Sequence, residues 1–137
     1  GVEKRAASLP PLDLAACIWV SLDADPDAAR QALAAKIAYY GHALSPLIWA
    51  RLGLTRQDFA PIEQAMMVAR DEARAVALVD ERMLRIGVVG GPQEVVERLQ
   101  PLVAAGVTHL SFGPPLGPDP QAAMRLLGHV IEAFRSG

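Results

Sequence analysis

At 137 residues, with 52% hydrophobic and 20% charged content, the chain has the size and composition of about one globular domain. A net charge of -2, a sequence pI near 5.9 and the lack of clustered Lys or Arg exclude a nucleic-acid surface, because neutralising phosphates requires a basic patch. The apolar stretch from Leu14 to Leu22 is interrupted by polar residues and too short to cross a bilayer, so no membrane partner is expected.

The chain opens at Gly1 in charged, helix-like sequence without a signal peptide, which points to sequence missing upstream. Val2 to Ser8 predict the tail of a helix, ended by Pro10-Pro11 because proline blocks continuation. A strand should run from Leu14 to Leu22, carried by Ile18, Trp19 and Val20. Cys17 lies inside it. As the sole cysteine it permits no internal disulfide, and its apolar surroundings predict a buried, inert thiol in a reducing, cytoplasmic setting. Asp25-Pro26 then supplies a helix cap with proline at the first helical position, and Ala29, Leu33, Ile37 and Tyr40 follow at helical spacing up to a stop at Gly41.

The middle third reads as irregular helix. Ser45-Pro46 opens a short helix through Trp49 to Leu52, closed by Gly53, and Thr55 with Asp58 forms a capping box for a stretch towards Met67. Asp71 to about Arg82 is again helical, with Ala73, Val76 and Val79 as its buried stripe. No period of two appears in this block, which makes it a helical insertion between strands, of a kind that often covers a binding site.

From Met83 to Pro118 the pattern becomes strand, tight loop, helix, glycine stop, strand and Gly/Pro loop, that of a right-handed βαβ unit. The helix from Pro92 to Ala105 should bury Val95, Val96, Leu99, Leu102 and Val103, with a bend or loosened last turn at Pro101. Asp119-Pro120 caps a final helix with Ala123, Leu127, Ile131 and Phe134 facing the sheet. The sum is α/β: about three parallel strands with about six helices. Such a sheet has two open edges and too few strands to bury its inner face, so residues 1–137 are expected to form a single partial domain of something larger, or a unit that pairs with a partner.

The run Val89-Gly90-Gly91-Pro92-Gln93-Glu94-Val95-Val96-Glu97-Arg98-Leu99, followed by Ala105-Gly106-Val107-Thr108-His109-Leu110-Ser111-Phe112-Gly113-Pro114 and Pro115-Leu116-Gly117-Pro118, resembles the C-terminal signature of the luciferase-like superfamily. Within that superfamily it is most similar to deazaflavin-dependent methylenetetrahydromethanopterin reductases, and the segment from Leu14 to Arg30 resembles their sixth strand and acidic helix start. The resemblance implies the C-terminal part of a (β/α)8 TIM barrel, roughly its last three strand-helix units. It also implies a hydride transfer between coenzyme F420 and a small organic substrate, with the catalytic residues in the N-terminal half and this portion inactive by itself. Two other readings stay open: a flavin mononucleotide (FMN)-dependent monooxygenase of the same superfamily, and a noncatalytic half-barrel module that dimerises through its open edges. A homo-oligomer is expected.

Candidate site residues follow from the carboxyl ends of the strands, where such folds place ligands. Phe112, Gly113 and Pro114, in the loop that runs to Pro118, are the foremost cofactor-binding candidates, against a purely structural turn. Ser21 and Asp23 sit at the equivalent end of the first strand. Gly90-Gly91 could offer backbone N-H groups to an anion, but no Lys or Ser follows at phosphate-loop spacing, which favours a tight turn that needs glycine. His109 reads as a satisfied core histidine, and Trp49, Tyr39 and Tyr40 as core aromatics. No metal site and no nucleophilic triad can be assembled.

Overall fold

The computed structural model describes residues 4–6 and 8–135, so Val2, Glu3 and Ala7 of the helix tail expected at Val2 to Ser8 lie outside the described residues. Three parallel strands carry the fold: β1 (Ala15–Leu22), β2 (Val88–Gly90) and β3 (His109–Leu116). Between β1 and β2 run α1 (Pro26–Tyr40), α2 (Pro46–Arg51), α3 (Arg56–Glu63), a π-helical turn over Gln64–Ala69, α4 (Glu72–Ala77) and α5 (Glu81–Leu84). Helix α6 (Pro92–Ala104) joins β2 to β3, and α7 (Pro120–Arg135) ends the described chain. The α/β class, the helical insertion and the two open sheet edges are as the sequence predicts.

The strand order is not the chain order. The sheet runs β2-β1-β3, with Val20 to Leu22 of β1 paired to Val88 to Gly90 and Ala15 to Trp19 paired to His109 to Gly113. Because β2 and β3 flank β1, the crossover from β1 to β2 and the one from β2 to β3 run in opposite directions, and right-handed connections then lay their helices on opposite faces. One face of the sheet, Ile18, Val20, Leu22, Val88, Leu110 and Phe112, packs against α6 and α7 through Val95, Leu99, Ala123, Leu127 and Val130. Across the sheet, Trp19 and Val89 pack with Leu33 and Ile37 of α1 and, beyond them, with Phe59 and Ile62 of α3 and Met83 of α5.

Helix starts follow their capping signals. Asp25 accepts from Asp27 N at 3.0 Å, Thr55 and Asp58 close the capping box at 2.8 Å, and Asp119 accepts from Gln121 N at 2.8 Å. Several details depart from expectation: Met83 and Leu84 are helical with β2 starting only at Val88, and Phe112, Gly113 and Pro114 lie within β3 and not in a loop. The helix predicted from Asp71 to Arg82 breaks at Leu78, because Asp80 accepts from Met83 N and starts a new helix; Ala75 rather than Ala73 is buried. In α7 the third buried position is Val130, while Ile131 is 43% exposed, and in α6 Val103 is exposed with α6 continuous through Pro101. Gly41 has ordinary helical φ, so no left-handed stop needs it. Its role is space: a Cβ there would lie 2.5 Å from the Phe59 ring.

Arg82 ties the insertion together. Its guanidinium donates to Asp58 on α3 at 3.0 Å, to Asp80 at 2.8 Å and to the Gly53 carbonyl at 3.2 Å. Hydrogen bonds from the Thr55 hydroxyl, the Thr55 N-H and then Arg82 hold the Asp58 carboxyl below its ordinary range. Partial burial pushes Asp80 up, but the Met83 N-H and Arg82 outweigh it and the net shift is downward. Both groups therefore bind fewer protons folded than unfolded, so their stabilisation is complete above the ordinary carboxylate pKa and is lost as the pH falls through the depressed folded values, below 3.8. Arg82→Ala should shallow the acid limb of a plot of urea midpoint against pH; an unchanged limb would show that these carboxylates do not depend on Arg82.

Candidate functional site

The carboxyl ends of the three strands lie at one end of the sheet, and each feeds a helix whose first turn is closed by a carboxylate of this chain. After β1, Asp25 N donates to Asp23 at 2.9 Å and Asp27 N to Asp25 at 3.0 Å. After β2, Gly91 N donates to the Glu94 carboxylate at 2.8 Å. After β3, Asp119 accepts from Gln121 N and Ala122 N. A phosphate needs free N-H groups and a positive helix end, and here the anion at each end is a side chain. Gly90-Gly91 is thus a tight turn, with Gly90 at φ +139 and no room for a Cβ beside Glu94.

The four candidate residues do not converge. Ser21 is fully buried, and its hydroxyl donates to the Ala29 carbonyl at 2.7 Å, anchoring α1 to the sheet. That corrects Ser21 as a direct cofactor contact, because its polar atom is spent inside the fold. Phe112 faces the α6–α7 layer opposite Ile18, and not the other face of the sheet; its edge lines a groove of about 420 Å3 between β3 and α7, with Leu110, Met124, Gly128 and Ile131. Gly113 faces the other way, paired with Trp19, and Pro114 is exposed beside it. Only Gly113 and Pro114 remain open to a ligand near the sheet face that α1 partly covers. Ser21→Ala should cost about 1 kcal/mol in urea unfolding and leave the fold intact.

Beyond the four, the exposed positions were the ones misjudged. Cys17 is exposed, as is His109, whose side chain is 58% exposed with Nδ1 3.7 Å from the Asp13 carboxylate. Both lie on the part of the sheet face that α1 leaves bare, so neither the buried thiol nor the core histidine is found. Trp49 is buried and donates to the Gly41 carbonyl at 3.0 Å, as a core aromatic should, but Tyr39 and Tyr40 are about half exposed. Tyr40 keeps the three- or four-residue spacing after Ile37, so periodicity pointed to burial; its exposure follows from its place at the end of α1. Among the described residues no group of three His, Cys, Asp or Glu is placed to hold a metal, and no helix is long and apolar enough to cross a membrane.

A parallel three-stranded sheet with helices on both faces, open edges and a glycine-proline loop after its last strand defines an open, partial α/β unit. No family model matches the chain. It is 32% identical over 137 residues to the 5,10-methylenetetrahydromethanopterin reductase of Methanopyrus kandleri, covering 98% of this chain and 39% of the reductase. It is 30% identical over 135 residues to the enzyme of the same name from Archaeoglobus fulgidus, and 31% identical over 116 residues to the F420-dependent glucose-6-phosphate dehydrogenase of Rhodococcus hoagii. The structure superposes on the coenzyme F420 dependent tetrahydromethanopterin reductase from Methanopyrus kandleri with a TM-score of 0.80 and 33% identity, over 89% of this chain and 35% of that one. The resemblance to luciferase-like, F420-dependent oxidoreductases is borne out in sequence and fold. The chain spans about two fifths of the length of these curated reductases.

Proposed function

We propose that this chain is part of a coenzyme F420-dependent oxidoreductase that transfers a hydride between the deazaflavin and a small organic substrate, and that it acts in the cytoplasm. The observation that carries the proposal is the agreement of sequence and structure over nearly the whole chain with reductases named for that cofactor. The described residues fit the cofactor in part. Gly113 and Pro114 offer an open surface for a ring, while the carboxylate-closed helix ends repel an acidic tail, which the remaining three fifths of the fold would hold. When bound, the cofactor supplies the hydride; this chain's residues orient it and exclude water. The free edge of β3 and the apolar groove beside α7 are where the remainder of that fold docks in this proposal.

The test uses the polypeptide of the relatives' length that carries this chain. Loss of the reduced cofactor's spectrum with methylenetetrahydromethanopterin, followed with F420 and separately with FMN, is expected for F420 alone. Turnover with FMN and none with F420 would overturn the proposal.

A further inference from the structure

We draw no further inference here: the strongest candidate, the cavity of about 360 Å3 lined by Arg30, Arg85, Arg98, Glu81, Glu94 and Glu97, carries nothing, because it lies beside the sheet-edge strand β2 in a chain that spans about two fifths of its relatives' length and nothing in the structure shows what covers it.

Discussion

Phe59→Ala is expected to cost about 3–5 kcal/mol and to unfold the helical insertion before the sheet. Phe59 is fully buried on α3, its ring stacks on Trp49 at 5.6 Å, and Gly41 leaves the space its edge occupies. Truncation opens a cavity that α1, α2 and α3 share, and none of them can close it alone, because α1 is held to the sheet by Leu33 and Ile37 and α3 to Arg82 through Asp58. A domain with 5–15 kcal/mol of total stability would lose a large part of it. Urea unfolding followed by Trp49 emission and by far-ultraviolet circular dichroism should show the Trp49 transition moving first in the variant. A loss below about 1 kcal/mol would mean that the insertion collapses onto the cavity and that its packing is looser than the buried ring implies.

Gly117→Ala is the second large effect, and its cause is the opposite one. A Cβ at Gly117 would lie 2.3 Å from the Leu22 carbonyl and 3.0 Å from the Ala123 methyl. The nearest atom is backbone at the end of the central strand, so no flexible side-chain tip can move aside. The loop after β3 must then lift off β1, at a cost of about 1–3 kcal/mol for overpacking. The lift also displaces Pro114, so in the enzyme of the relatives' length it should raise the apparent Kd for the cofactor as well as lower the unfolding midpoint. Gly128→Ala is the matched control, since nothing lies within 4 Å of a Cβ there and the position is inside α7. It should stabilise by about 0.5–1 kcal/mol through helix propensity. Equal effects at the two glycines would show that the loop is not clamped to β1.

What the sequence determined by itself is local and periodic. The capped helix starts at Asp25, Ser45, Thr55 and Asp119 are each specified within four residues, so short-range hydrogen bonding fixes them wherever the segment lies. The strand around Val20, the helix after Gly91 and the strand ending in the glycine-proline loop are legible from β-branched runs, apolar spacing and turn residues, and together with the ordered motif from Val89 to Pro118 they were enough to point to the family.

Tertiary structure alone decided which strand is central and what each face meets. An apolar strand such as β1 looks the same whether its neighbour is next in the chain or not, and the order β2-β1-β3 depends on two crossovers that no local pattern encodes. That order leaves the end of the sheet at Ala15 and His109 without a helix on one side, which is why Cys17 and His109 are exposed although their residue types and surroundings predict burial. It also turned Ser21 inward to bond α1 and Phe112 towards α6 and α7, and it set Lys36, Tyr40 and Trp19 beside Gly113. Burial is a property of what packs across a face, and for a strand that partner is chosen by contacts as much as 95 residues away, as Asp13 and Thr108 show.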